Sequence, residues 1–214
     1  ALTAAGAMSF EDGLRVVRQR GKFMQEACDV TKGGMAAIIG LDEAPTREIC
    51  AEAGVVVANL NCPGQLVISG EVEKIAKACE LAKGRGAKRA LPLPVAGAYH
   101  SPLMASAQPK LGAELAKINL TSPIVPVISN VTTSAHEAPA EISALLVEQV
   151  CASVRWEESM RALLAQGYTR FIELGPGAAL SGFMKRIDKT ATMLNVGNIS
   201  SLETTANMLK SAAN

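Results

Sequence analysis

His100 is the first residue whose type and place suggest chemistry. It follows Gly97-Ala98-Tyr99 and precedes Ser101-Pro102, in a loop that leads from a strand to a helix start. An imidazole there titrates near neutrality and can act as a general base; a loop histidine bonded only to backbone fits the same position. Arg20 falls at the edge of the apolar face of an early helix. Its guanidinium must meet an anion or reach water, and its fork suits a carboxylate. A snorkelling side chain or an internal ion pair would satisfy the pattern equally. Gln149 lies on an apolar helix face, where a buried amide needs hydrogen bonds, in a core or in a site. Asn59 and Asn61 flank Leu60, so alternation points both to one face of a strand end. They would line a polar pocket or serve the turn at Pro63-Gly64. Lys88 and Arg89 could meet a phosphate or solvate an edge strand. His136, in the polar stretch 132–139, reads as surface loop, and no metal-ligand spacing surrounds either histidine. The turn Gly175-Pro176-Gly177 matches neither a dinucleotide nor a P-loop pattern.

These residues need elements to hold them. Ser9, with Asp12 three residues on, caps a helix carrying Leu14, Val17, Gly21 and Met24 at helical spacing. Gly21 inside it costs about 1 kcal/mol relative to alanine, which suggests close approach of another backbone or a ligand. Residues 33–95 read β-α-β-β-α-β, the ferredoxin-like split pattern. Its strands start at Gly34, Val55, Leu66 and Lys88, its helices run from Ala44 and Val72, and Pro63-Gly64 sets a type II turn. Beyond residue 96, Ser101 and Pro102 start a helix that Pro109 is expected to kink. Val125 to Ser129 reads as a buried strand. Ile142, Leu145, Leu146 and Gln149 share one helical face. Helix, strand, turn, strand and helix then follow to the end. The outer segments, 1–32 and 96–214, read as an α/β domain with parallel strands into which 33–95 is inserted. A cleft between the two would be the default binding site.

Composition excludes several classes. The 214 residues are 49% hydrophobic and 19% charged, and 21 basic residues against 20 acidic ones give a net charge of +1. Neither a nucleic-acid surface nor an acidic tail fits that balance. Aromatics at 3% argue against base-stacking platforms. The five cysteines are odd in number and include no C-x-x-C pair, so a disulfide framework or zinc site is not expected and a reducing cytoplasm fits best. No apolar run is long enough to span a membrane, and no signal peptide is read at the start.

Several segments together resemble bacterial malonyl-CoA:acyl carrier protein transacylase. They are Arg20-Gly21-Lys22-Phe23-Met24-Gln25-Glu26, Gly34 to Gly40, Asn59-Leu60-Asn61-Cys62-Pro63-Gly64-Gln65, Lys88 to Val95, Gly97 to Met104 and Glu173 to Gly177. The resemblance implies a hydrolase-like α/β parallel-sheet domain with an inserted ferredoxin-like α+β subdomain. It implies malonyl-CoA and acyl carrier protein as partners, coenzyme A as substrate rather than bound cofactor, and ping-pong transfer through an acyl-serine in fatty-acid synthesis. His100 then activates the serine and protonates the leaving thiol, and the Gln149 backbone carbonyl orients it. Arg20 pairs with the malonyl carboxylate. Asn61, with Asn59 beside it, lines the acyl site, and Lys88 and Arg89 lie near the coenzyme A phosphates. Tyr99 stands where bulk favours malonyl over methylmalonyl, and Ala178 replaces a polar residue. The Gly-His-Ser-x-Gly elbow and the Gly-Gln-Gly-x-Gln loop do not occur in the sequence. The expectation is therefore a C-terminal two-thirds of the family, its N-terminal part missing, without nucleophile, poorly stable and inactive by itself. A non-catalytic acyl-CoA or carrier-protein binding module, a polyketide-synthase acyltransferase domain and a small-ligand regulatory domain are the competing readings. A basic patch of Lys83, Arg85, Lys88 and Arg89 is expected to greet the acidic carrier protein.

Overall fold

A computed structural model describes residues 1–211. The chain divides into two compact units, Ala1–Ser159 and Met160 onward. The first opens with helix α1, Phe10–Asp29. Ser9 caps it: its hydroxyl accepts the Asp12 N–H at 3.0 Å, with Glu11 and Asp12 in the positive first turn. Strand β1 (Gly33–Ile39), helix α2 (Glu43–Ala53), strands β2 (Val56–Cys62) and β3 (Gln65–Glu71), helix α3 (Val72–Gly84) and strand β4 (Arg89–Pro92) follow. They build one antiparallel sheet in the order β2-β3-β1-β4. Gly54, left-handed at φ +73°, ends α2, and its N–H donates to Cys50 O. Gly64, at φ +65°, supplies the positive φ that the β2–β3 turn requires.

Alternation along the strands divides this sheet into two faces. Ala36 and Ile38 of β1 and Leu66 and Ile68 of β3 join Ile49, Cys50, Ile75 and Ala78 of α2 and α3 in one buried core. The opposite face carries Met35, Ala58 and Val67, and packs against Leu93 and Tyr99. A second buried core joins α1, through Val16, Met24, Ala27 and Cys28, to Met104, Leu111, Leu115 and Val150. A 3-10 turn at Pro102–Met104 and helices α4 (Ala107–Leu115) and α5 (Pro139–Glu148) belong to this region. Helix α6 (Trp156–Ala165) crosses the boundary between the units.

The second unit holds strand β5 (Arg170–Leu174), helix α7 (Ala179–Ile187), strand β6 (Thr192–Val196) and helix α8 (Ile199–Ser211), with β5 and β6 parallel. The carboxylate of Glu173 accepts the Leu180 and Ser181 N–H groups and the Ser181 hydroxyl. It thereby caps α7, a service that Ala178 at the N-cap cannot perform.

Three sequence expectations are corrected. Residues 125–129 form no strand: Ile128 makes a single antiparallel bridge to Ala135, and Val125 is exposed. Pro126 lacks the N–H a ladder needs. Pro109 does not kink a helix, because it falls in the first turn of α4, where its missing N–H is not required. Gly21 meets no neighbouring backbone, for nothing stands within 4 Å of where its Cβ would be. No helix of the described residues is long and apolar enough to cross a membrane.

Candidate active site

The site is assembled by α1, by the loop 97–100 and by the turn that ends α5. On α1, Arg20, Met24 and Cys28 stand at i, i+4 and i+8, one face of the helix. The loop approaches this face closely because two positions lack a side chain. A Cβ on Gly97 would lie 2.3 Å from the Cys28 sulfur, and one on Gly33 would lie 2.5 Å from the Ala98 nitrogen. The chain then enters His100 at φ +56°, a left-handed backbone that costs a non-glycine residue about 1–3 kcal/mol. Ser101 fixes the exit: its hydroxyl donates to Ala98 O at 2.6 Å and accepts the Leu103 N–H at 3.2 Å.

What holds the strained histidine is its own ring. Nδ1 lies 3.1 Å from the carbonyl oxygen of Gln149 and 3.1 Å from that of Ala152. Carbonyls only accept, so Nδ1 carries the proton in the neutral ring and Nε2 keeps its lone pair. Gln149 sits at the C-cap of α5 and meets the histidine through backbone, while its amide nitrogen donates to Ala152 O at 3.4 Å. Burial holds the His100 pKa below the ordinary histidine value. The two carbonyls favour the charged ring, and the nearby Arg20 charge opposes it.

A cavity of about 440 Å³ opens in front of this group, lined by Arg20, Gly21, Met24, Met35, Asn59, Tyr99 and His100. Arg20 is half-buried, and burial lowers its pKa. Among the described residues it makes no ion pair. A guanidinium so placed lacks the carboxylate that would offset its desolvation. The cavity therefore joins an anion-binding cation to an imidazole with a free nitrogen.

Other expected residues lie elsewhere. Asn59 lines the cavity, but Asn61 does not. Bulges between Val57 and Asn59 and between Leu60 and Cys62 break the simple alternation. Lys88 and Arg89 are exposed, away from that lining; the Lys88 stem packs over Gly40, and Arg89 pairs in register with Ile39. The four-residue basic patch is half neutralised, since Lys83 bonds Glu80 at 2.8 Å and Arg85 pairs with Glu52. His136 is no surface residue: it is 8% exposed, its N–H donates to Val127 O, and burial lowers its pKa. The bridge between Ile128 and Ala135 folds the segment back and turns it inward. Among the described residues, no three His, Cys, Asp or Glu side chains gather as metal ligands. Met24, Met35 and the Ala152 carbonyl escape the sequence reading. The i+4 spacing from Arg20 is the available signal for Met24.

The family model for the acyl transferase domain matches residues 1–208. The chain is 45% identical over 215 residues to the malonyl CoA-acyl carrier protein transacylase of Bacillus subtilis, covering 98% of this chain and 68% of that protein. It is 46% identical over 196 residues to the Escherichia coli K12 protein of the same name, covering 90% and 63%. The crystal structure of the corresponding Clostridium perfringens transacylase matches with a TM-score of 0.95 at 41% identity, over 100% of this chain and 68% of that one. The chain thus spans 63–68% of the length of these relatives.

These matches correct the expectation of a C-terminal fragment with a missing N-terminal part. The solved fold is followed over the whole of this chain. They equally overturn the reading of an inactive protein without its serine. Nothing in them marks a relative stripped of its nucleophile, and a motif not found within 214 residues says nothing of the protein's catalytic equipment. Matched along nearly its whole length, and with an imidazole and an unpaired guanidinium in one cavity, the chain belongs to the acyltransferase-domain family.

Proposed function

We propose that this protein moves a malonyl group from coenzyme A to the phosphopantetheine thiol of acyl carrier protein, in the cytoplasm. The observation that carries the reading is Arg20, half-buried, without an ion-pair partner among the described residues and in one cavity with His100. The names of the relatives supply the donor and the acceptor. A carboxylate at the far end of the acyl group satisfies the guanidinium, whereas an acetyl group leaves it unpaired, which is a strong basis for discrimination. His100, neutral and protonated on Nδ1, takes the proton of the attacking nucleophile on Nε2. It then returns that proton to the departing thiolate. The resemblance routes the group through an acyl-serine, so the same imidazole serves both half-reactions. Met24, Met35 and Tyr99 crowd the acyl carbon and favour malonyl over its α-methyl homologue. Asn59 adds a polar wall, with Asn61 further along the strand. Lys88 and Arg89 meet the coenzyme A phosphates, and residues 33–95 supply the wall opposite α1.

The test is a transfer assay with malonyl-CoA, acetyl-CoA and carrier protein bearing its phosphopantetheine arm, read by intact mass. Malonyl-carrier product, with acetyl transfer far slower, is expected. Equal use of both donors, or no product from either, overturns the reading.

A further inference from the structure

We propose that Ser153 is a positioning residue for the general base: its hydroxyl moors the Ala152–Ser153 peptide to strand β2 and so fixes the second carbonyl that holds the His100 ring. This rests on the malonyl-transfer reading above. β2 is an edge strand of its sheet, and a bulge between Val57 and Asn59 leaves Ala58 out of the pairing with β3. Residues 153 and 154 cover that edge. The Ser153 hydroxyl donates to Val57 O at 2.6 Å. The Val154 N–H donates to Ala58 O at 2.8 Å, and Val154 O accepts the Leu60 N–H at 2.9 Å. Val154 thereby forms a parallel bridge with Asn59, the residue that β2 contributes to the cavity. The residue just before this seam carries the Ala152 carbonyl, 3.1 Å from His100 Nδ1. One peptide unit thus joins the four-stranded sheet to the base. Val57, His100, Ala152 and Ser153 also border one second cavity of about 430 Å³.

The two carbonyls that share the Nδ1 proton are held differently. Gln149 is the C-cap of α5, and the helix directs its backbone. Ala152 lies beyond the helix, and its oxygen otherwise meets only the Gln149 amide, at 3.4 Å. What turns it toward the ring is the next residue, pinned by its side chain, and the one after, pinned by its backbone. Without the Ser153 hydroxyl the Ala152 carbonyl is free to swing, and Nδ1 keeps Gln149 O alone. Acceptors at Nδ1 favour the protonated ring, so the imidazole becomes a weaker base as well as a less well aimed one. The charged and titratable groups facing the ring are Arg20 on α1, Tyr99 in its own loop, Arg47 and Cys50 on α2, and Cys151. Arg47 is paired with Glu43 at 2.6 Å. Replacing Ser153 by alanine alters none of these charges, so a shift in the titration of His100 reads the hydrogen bond.

The experiment follows the whole protein in two ways: kcat and KM for malonyl-CoA across pH, and NMR titration of the imidazole rings. The chain has two histidines, and the resonance lost in His100→Ala identifies the one that matters. Ser153→Ala is expected to lower kcat about tenfold, short of the roughly hundredfold of a 1 Å misplacement, with KM within about twofold of the parent. The acid limb of kcat/KM and the His100 ring titration are both expected to move to lower pH. Ser153→Thr, which keeps the hydroxyl, is expected to hold both near the parental values and kcat within about twofold. A Ser153→Ala protein in which the limb and the ring titration stay put would make the hydroxyl mere packing and overturn the proposal, as would a Ser153→Thr protein that shifts as far as the alanine variant. Should Ser153→Ala not fold, Ser153→Cys, close in size but a weak donor, takes its place with the same expected and overturning results. A parent protein that transfers no malonyl overturns the functional reading, and the part of Ser153 in transfer falls with it. An active parent whose His100 titration is indifferent to Ser153 overturns the positioning role alone.

Discussion

The two faces of the four-stranded sheet do different work. One is sealed by α2 and α3 over Ile38, Ile49, Ile68 and Ile75, all apolar and buried. The other sets Met35 and Val67 against Tyr99 and fronts a cavity that holds a half-buried arginine and histidine. Hydrophobic burial on the first face stabilises the sheet without needing any particular chemistry. The second accepts a left-handed histidine and an unpaired guanidinium, both of which cost stability. A wall of the site can thus be built from the back of a well-made core, and the left-handed histidine sits in a loop between Gly97 and Ser101.

Substitutions at the site should separate activity from stability. His100→Ala removes the general base, and transfer should fall by about 10²–10⁴-fold, with the thermal transition largely kept; a variant that retains parental kcat/KM would dismiss His100. Arg20→Gln should lower malonyl kcat/KM by about 2–5 kcal/mol in transition-state terms while acetyl transfer stays level or improves. Parallel losses for both donors would mean that the arginine supports structure rather than the carboxylate.

The same pair gives a pH dependence. The folded pKa of His100 lies below its ordinary 6.5, from burial first and then from the Arg20 charge against the two carbonyls. The unfolded chain therefore binds this proton more tightly. The stability that the neutral ring contributes is full above pH 6.5 and is lost as pH falls through the depressed folded value. The base also stays deprotonated somewhat below 6.5, so the acid limb of kcat/KM should lie there. Arg20→Gln removes a positive neighbour and should move that limb to higher pH; a limb that stays put, or moves down, would contradict the proximity of the two charges.

Legibility in the sequence follows the range of the interactions. Ser9, Gly54 and Gly64 act on the next few residues, and their caps and turn can be read directly. The order of elements in 33–92 comes from periodicity, but the bulges that separate Asn61 from Asn59 depend on pairing with β3. His136 misleads because its polar neighbours suggest a surface, whereas the distant bridge at Ile128 decides its burial. Arg20 can be placed on a helix face, yet its lack of a partner depends on which carboxylates the fold brings near. The meeting of Cys28 with Gly97 and Tyr99 joins segments far apart in the chain, beyond any local pattern.

Neighbouring positions on β3 offer the sharpest test of the division between faces. Ile68 points into the sealed core at 0% exposure, so Ile68→Ala should cost about 2–5 kcal/mol through lost burial and a residual cavity, read by denaturant unfolding. Ser69 is equally buried, but it pairs in register with Met35, which belongs to the other face. Its hydroxyl finds no hydrogen-bond partner among the described residues. An unsatisfied buried hydroxyl costs about 1–3 kcal/mol, and alanine removes that cost while giving up one small atom. Ser69→Ala should therefore leave the protein as stable as before or up to about 1 kcal/mol more so. A clear loss of stability would show that the hydroxyl has a partner after all, and that the face toward the site is satisfied as fully as the face toward the helices.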